Sequence, residues 1–507
     1  MPSIKSLHIP IFLVLTSLGC NLFQPITTLQ PPTPFAFFTP IPELANTPNP
    51  FFPATRAPGE PVQTPTPDAP HAIPSMRGNA IEYVVRANDT LATIADDFDV
   101  PMEDILANNL IPNPDVLTVG QVLNIPPPEP GTIAPSFKII PDSELIHGPV
   151  NAYFDVAAYV TNQNGYLANY NEEIGQEFLS GAQIVDRVAW DYSVNPRLLL
   201  AVLEYQSRWV SSPNPEETSR LFPIGRYDAW REGLYRQLTW TADTLNQGYY
   251  SWKADRAGAW TTLEGKAVPA NPTVNAGTAG VQLLFAELYS ESTWRQVVSE
   301  TGFFLTYQAM FGYPFDLAIE PLVPDHLVQP VLQLPFEDTI AWTFTGGPHG
   351  GWDNGSAWAA LDFAPPKEEL GCVQNDAWVV AMSEGIIVRA DNGAVVQDLD
   401  GDGFFQTGWS LFYMHIESRD RVAVGTVLQA GERIGHPSCE GGISTGTHVH
   451  LARRYNGEWI EATGASPFIM DDWIPISTGV LYDGFMQRSG QQIEACQCKD
   501  PGHQVGR

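Results

Sequence analysis

Five residues in the last third of the chain could act together on a divalent metal: His349, Asp362, His415, His448 and His450. In Gly446-Thr447-His448-Val449-His450-Leu451 a single residue separates two imidazoles. On a β-strand that spacing turns both side chains to one face, where they can line one cleft. A catalytic zinc held by imidazoles commonly takes a carboxylate as well and keeps one coordination position open. An isolated His-x-His is more often an accident of a strand. Here three further candidates lie in the same segment, between Gly346 and Leu451, and together they outline a zinc centre.

Such a centre needs rigid strands to hold it, and from about Thr339 the sequence supplies them. Short apolar, β-type runs alternate with glycine-rich turns: Trp378-Val379-Val380-Ala381, Gly385-Ile386-Ile387-Val388, Leu411-Phe412-Tyr413-Met414-His415, Val427-Leu428 and His448-Val449-His450-Leu451. That pattern predicts an all-β domain. The words Leu361-Asp362-Phe363-Ala364-Pro365, Val380-Ala381-Met382-Ser383-Glu384-Gly385, Tyr413-Met414-His415-Ile416, Gly431-Glu432-Arg433-Ile434-Gly435 and Ser444-Thr445-Gly446-Thr447-His448-Val449-His450 resemble, in that order, the lysostaphin/LytM-type zinc endopeptidases. The resemblance spans about 343–460.

What it implies is specific. His349, Asp362 and His450 would be the zinc ligands, and a water made acidic by the ion would attack an amide carbonyl. His415 and His448 would stand beside the metal, deprotonating or orienting the water and stabilising the oxyanion. In the family the first histidine and the aspartate are four residues apart, whereas His349 and Asp362 are thirteen apart. Asp353, in His349-Gly350-Gly351-Trp352-Asp353, has the family spacing and is the alternative ligand. Asp362 is preferred because its Leu-Asp-Phe-Ala-Pro setting matches the ligand strand and inserted loops are tolerated. His436 reads as a turn residue. Asp398-Leu399-Asp400-Gly401-Asp402-Gly403 satisfies the first half of an EF-hand loop, but Trp409 stands where a bidentate glutamate belongs. A plain acidic turn is expected there, with calcium as the alternative.

Upstream, Tyr83 to Pro126 reads as strand, two helices and strand. Its Asp-Thr-Leu turn, Asn108-Asn109 pair and Gly120-Gln121-Val122-Leu123-Asn124-Ile125-Pro126 ending resemble the LysM module. That likeness implies binding to N-acetylglucosamine-containing glycan through the loop after the first strand, Asn88, Asp89, Thr90 and Leu91, and the loop before the last, including Ile111, Pro112 and Asn113.

Between the two lies a region read as helical over 143–324. Asn195-Pro196 is a helix start, with asparagine as cap and proline in the first turn. Leu198, Val202, Tyr205 and Trp209 follow at helical spacing. The run Val194 to Glu204 resembles the first core helix of lysozyme-like lytic transglycosylases, whose catalytic Glu-Ser pair is Gln206-Ser207 here. An amide cannot serve as general acid. The expectation is therefore an all-α, lysozyme-like but degenerate region that spaces or binds glycan. Helices are also expected over 281–288 and 303–311.

The start of the chain has an export-signal pattern, with Lys5, the apolar run Ile9 to Leu18 and small residues before Cys20. Ser17-Leu18-Gly19-Cys20 resembles a bacterial lipobox, which implies lipidation of Cys20. Its leucine is two residues before the cysteine, where the family has it three before. Pro25 to Pro74 is rich in proline and threonine and reads as an extended stalk. Of the other cysteines, Cys372 and Cys439 both fall in the catalytic segment and are expected to pair; Cys496 and Cys498 could bind metal, but a disulfide or terminal loop is the commoner outcome for such a pair.

The expected organisation is a signal peptide over 1–20, linker over 21–80, LysM over 81–128, helical region over 143–324, zinc peptidase over 336–475 and a tail over 476–507. A net charge of −31 speaks against nucleic acid or anionic lipid as partner, leaving membrane attachment to the N-terminal lipid alone. The combined expectation is an exported, lipid-anchored Zn2+ endopeptidase acting on peptidoglycan stems or crosslinks. The alternative is a catalytically silent peptidoglycan binder or amidase activator, which should have lost some of the ligands.

Overall fold

The computed structural model describes residues 70–71, 79–86, 89–98, 100–114, 116–127, 133–175, 177–366, 371–498 and 500–507. Cys20, the stalk apart from Pro70 and His71, and Asn88 lie outside the described residues, as do the expectations placed on them. Among the described residues no helix is long and apolar enough to cross a membrane.

The first module is β1 (Ile81–Val84), α1 (Leu91–Asp97), α2 (Met102–Ala107) and β2 (Val122–Ile125), with β1 and β2 antiparallel. It has a small core of its own in which Val85, Leu91, Ile94, Ile105, Leu123 and Ile125 are buried. Its loops are tied by short-range polar contacts. Asp89 accepts from the Tyr83 hydroxyl at 2.8 Å and from the Arg86 amide at 2.6 Å, and Asn109 exchanges hydrogen bonds with the Asn124 backbone.

The region expected to be all-α is mixed. Helices α3 (Val156–Gln163), α4 (Gly181–Tyr192), α5 (Pro196–Ser207), α6 (Leu234–Lys253), α7 (Ala276–Ala286), α8 (Glu291–Val297) and α9 (Phe303–Phe311) are joined by two hairpins. These are β3 (Asn171–Ile174) with β4 (Glu177–Ser180), and β5 (Ala259–Thr261) with β6 (Ala267–Pro269). The local signals at α5 act as read: the Asn195 carbonyl Oδ1 accepts from the Arg197 amide at 2.9 Å and Pro196 occupies the first turn. At α4 a capping box forms between Ser180 and Gln183.

The C-terminal part is built on one nine-stranded antiparallel sheet. Its strands are β7 (Trp342–His349), β8 (Ala360–Ala364), β10 (Gly385–Asp391), β11 (Ala394–Asp398), β12 (Trp409–Met414), β13 (Val427–Leu428), β15 (Val449–Tyr455), β16 (Glu458–Trp459) and β20 (Gln504–Val505). They run in the order β13-β10-β11-β12-β15-β8-β7-β20, with β16 added to β15. A side pair joins β9 (Val379–Val380) to β14 (Arg433–Gly435), and β17 (Ile474–Ser477), β18 (Gly484–Arg488) and β19 (Gln491–Glu494) make a second small sheet.

The segment set apart as a tail over 476–507 is thus part of this fold. Strand β20 pairs with β7, and Met486, Ile493 and Val505 are buried with Trp342 and Phe344. Cys372 is bonded to Cys439, and Cys496 to Cys498.

Alternation along the central strands sends their side chains into two different cores. Leu361, Phe363, Leu411, Tyr413, Val449 and Leu451 pack on one face. Ala360, Phe412, Met414 and Ala452 pack on the other, in one continuous core with helices α4 to α7. The helical region and the large sheet therefore share a core. Their contact also carries ion pairs, Arg389 with Asp191 at 2.6 Å and Lys253 with Glu458.

Candidate metal centre

Strands β8 and β15 are neighbours, and His450 stands directly opposite Asp362 in register. By alternation both side chains leave the sheet on the face that carries Ala360 and Ala452. Two register irregularities in β7, between Phe344 and Gly346 and between Gly346 and His349, each add a residue to that strand. His349 thereby falls opposite Ala360, on the same face as Asp362. Gly346 is required at this crossing, because a Cβ there would lie 2.5 Å from Asp362 Oδ2.

The three side chains converge. His349 Nε2 and His450 Nδ1 are 3.0 Å apart, and they lie 3.3 and 3.2 Å from Asp362 Oδ1. Backbone carbonyls set both tautomers, because a carbonyl can only accept. His349 Nδ1 donates to the Gly347 carbonyl at 2.8 Å, and His450 Nε2 donates to the Gly351 carbonyl at 3.0 Å. In the neutral rings the remaining nitrogens then carry lone pairs, so two lone pairs and a carboxylate oxygen face one another. Asp362 Oδ1 is buried with no hydrogen-bond partner. An arrangement of acceptors alone is stable only around a cation, and two imidazoles with one carboxylate are a zinc donor set. The residues present fit the metal.

His415 and His448 complete the cleft. Their rings are 4.5 Å apart, and His448 Nε2 is 3.8 Å from Asp362 Oδ1. His415 Nδ1 donates to the Glu440 carbonyl at 2.9 Å and His448 Nδ1 to the Gly446 carbonyl at 2.7 Å, leaving both Nε2 atoms as acceptors. His415 adopts a left-handed backbone, φ 65°, uncommon for a residue with a Cβ. Its conformation is held by two donors on its carbonyl, the Ser438 amide at 2.7 Å and the Ser438 hydroxyl at 3.0 Å.

Burial would lower His349, but the Asp362 carboxylate beside it outweighs that and the imidazole ends above its ordinary value. Burial likewise opposes ionisation of Asp362, yet the histidines around it hold its carboxyl well below the usual range. Burial lowers His450 despite Asp362. Burial, with the charges of His448 and His450, pushes His415 down to about 3.

The alternative ligand Asp353 is engaged elsewhere: its Oδ2 accepts from the Tyr192 hydroxyl at 3.0 Å, at the end of α4. Leu91, expected at the glycan loop, is 2% exposed in the core of the first module, so its side chain is not available to a ligand. Thr90 is exposed and caps α1 through the Thr93 amide at 3.0 Å, Asp89 and Ile111 are partly exposed, and Pro112 and Asn113 are exposed. His436 Nδ1 donates to the Ala377 carbonyl at 2.8 Å, and its ring lies against the Trp378 ring.

In the triple-aspartate loop, Asp398 accepts from the Asp400 and Gly403 amides at 3.2 and 2.8 Å, and Asp402 accepts from the Phe404 amide at 2.9 Å and the Thr407 hydroxyl at 2.6 Å. Gln206 accepts from the Tyr289 hydroxyl, while Glu204 accepts from the Val210 and Ser211 amides at 3.1 and 3.0 Å, closing the end of α5.

One residue of the site was invisible in the sequence. Tyr482, in the turn between β17 and β18, stacks on His349 at 4.1 Å, and its carbonyl accepts from the Gly347 amide at 2.8 Å. No local signal marks it, because its position depends on the pairing of distant strands.

Two parts of the chain match known protein families. A family model described as "LysM domain" matches residues 83–126, and one described as "LasA, N-terminal domain" matches residues 138–322. The lysozyme-like expectation for the middle is not among these matches. Across 345 residues the chain is 25% identical to Protease LasA of Pseudomonas aeruginosa, covering 64% of this chain and 75% of that protein. It is 25% identical over 155 residues to the Beta-lytic metalloendopeptidase of Lysobacter enzymogenes, covering 30% of this chain and 83% of that enzyme. Among solved structures, the M23 metalloprotease pseudoalterin from the deep sea superposes with a TM-score of 0.30 at 22% identity, covering 35% of this chain and 99% of pseudoalterin. Family models thus match a LysM domain and a LasA N-terminal domain in this chain, which is also similar to Protease LasA and to a metalloendopeptidase.

Proposed function

We propose that the protein is an exported zinc metalloendopeptidase that hydrolyses peptide bonds in the stems or crosslinks of peptidoglycan, held on the glycan by its LysM module. The observation that carries this reading is the convergence of two tautomer-fixed imidazole lone pairs on an otherwise unpartnered carboxylate oxygen. Similarity to a metalloendopeptidase and to Protease LasA supports the same chemistry. The LysM match supports the polymer.

His349, Asp362 and His450 would hold the ion, which when bound supplies Lewis acidity towards an amide carbonyl and lowers the pKa of water. The chain's own residues do the rest. With Nδ1 donating to a backbone carbonyl in each ring, His415 and His448 turn Nε2 towards the ligands, placed to take a proton from the attacking water. Once protonated, His448 can return that proton to the departing amine, and its positive charge stabilises the negative tetrahedral oxygen. Tethering through LysM raises the local concentration of scissile bonds without altering the cleft.

Mass spectrometry of fragments from purified peptidoglycan tests this. New peptide termini with the wild type, and their loss with His448→Ala, are expected; identical fragments from both would remove His448 from the chemistry. Deleting residues 79–127 should reduce sedimentation with insoluble peptidoglycan while sparing cleavage of a soluble stem peptide.

A further inference from the structure

The twelve positions between His349 and Asp362 leave room for a loop over 350–358, and the helical region grips that loop at two points. At the end of α4 the Tyr192 hydroxyl donates to Asp353 Oδ2 at 3.0 Å, and on α6 Asp243 Oδ1 accepts from the Gly355 amide at 2.7 Å. The approach is close: a Cβ on Gly355 would lie 2.0 Å from the Asp243 carbonyl oxygen. Inside the loop the Gly351 amide donates to the Ala357 carbonyl at 3.0 Å and the Trp352 amide to Ser356 Oγ at 3.0 Å, so the segment is braced as a unit. Trp459 closes it from the sheet side, its ring 2.7 Å from where a Gly351 Cβ would be, while its Nε1 donates to the Tyr192 carbonyl at 3.3 Å. The carbonyl that this bracing fixes, Gly351, is the acceptor that makes His450 present Nδ1 to Asp362 and His349.

We infer that Tyr192 and Asp243 are positioning residues for the metal centre: by fixing the 350–358 loop they hold the Gly351 carbonyl that sets the tautomer and aim of His450. The inference rests on the zinc reading above. It makes the LasA N-terminal region part of the outer shell of the site as well as a neighbour of its domain. Outer-shell acceptors of ligand imidazoles matter because they fix ring orientation and ligand basicity. Asp243 itself is pushed up to about 7 by burial and by Asp353 beside it, so a neutral side chain with the same acceptor should replace it.

The test is zinc affinity of the full chain by competition with a chromophoric chelator, together with the visible spectrum of the cobalt-substituted protein. Asp243→Ala and Tyr192→Phe should each weaken zinc by about tenfold or more and alter the cobalt bands, while Asp243→Asn, which keeps the acceptor, stays within about twofold of wild type. Gln406→Ala, which removes a different contact between the same two regions, the hydrogen bond from Gln406 to His147, should leave both readouts unchanged. Wild-type affinity and spectrum in both Asp243→Ala and Tyr192→Phe would overturn the inference. Equal weakening by Gln406→Ala would overturn it too, by reducing the effect to general loosening. A wild-type chain that takes up no zinc would instead bring down the metal centre itself.

Discussion

Two clusters in the C-terminal part could be mistaken for one another on residue type: His349-Asp362-His450 and Asp398-Asp400-Asp402, each with ligand atoms within 4.8 Å of one another. They differ in what their donor atoms already have. The aspartate loop is satisfied by its own backbone amides and by Thr407, as an Asx-rich turn is. The histidine cluster points acceptors at acceptors, with its donors spent on carbonyls behind the rings and Asp362 Oδ1 left without a partner. Metal sites are distinguished by unmet coordination demand more than by the count of candidate ligands.

The largest effect that would sharpen this contrast comes from removing a ligand. Asp362→Ala should lower peptidoglycan hydrolysis by about 10³-fold or more, since Lewis-acid stabilisation is worth several kcal/mol. Asp400→Ala should leave the rate near wild type. Comparable losses in both variants would dissolve the distinction.

Next in size is His448→Ala, for which zinc content should persist while the rate falls by about 10²–10⁴-fold, the range of general acid–base contributions. Loss of the metal along with the rate would move His448 into the ligand set.

Acid should then separate the clusters. Ligand imidazoles must be neutral to hold an ion, so zinc occupancy should fall as pH drops below neutrality. The metal-free fold has its own acid sensitivity. His147, fully buried, is lowered to about 3 by burial, as is His415. Because the folded values lie below the unfolded one, stability from both groups is present above about pH 6.5 and is lost as pH falls from there towards 3. Urea midpoints between pH 7 and 4 check this, and His147→Gln should flatten the slope; an unchanged slope would exclude His147 as a contributor. Asp398 is shifted the opposite way, to about 8, by burial and its Asp400 neighbour. Its stabilising contribution is therefore present at low pH and declines as pH rises towards 8. The smallest effect expected is that of calcium on the aspartate loop, where millimolar calcium should leave Tm unmoved; a marked rise would make the loop a second metal site.

The legible parts of the site were those encoded by alternation. His448 and His450 two apart and the Leu361-Asp362-Phe363 strand are local patterns, and the register of β8 with β15 then brings Asp362 to His450. The cap at Asn195 was likewise local. What could not be read depended on distant pairing or on packing. Strand β20 returns across the fold to β7, Tyr482 reaches His349 only through that second sheet, and the hairpins of the middle region interrupt an otherwise helical periodicity. Leu91 lies next to an exposed capping residue and is itself core, a difference that only the packing of α1 decides.

The most direct measurement is zinc content with the zinc-edge absorption spectrum of the purified full chain and of His450→Ala. About one zinc per chain, bound by two imidazole nitrogens and a carboxylate oxygen and lost in the variant, is the expected result. A chain free of zinc after purification and reconstitution, or a His450→Ala protein that keeps the ion with an unchanged spectrum, would contradict it.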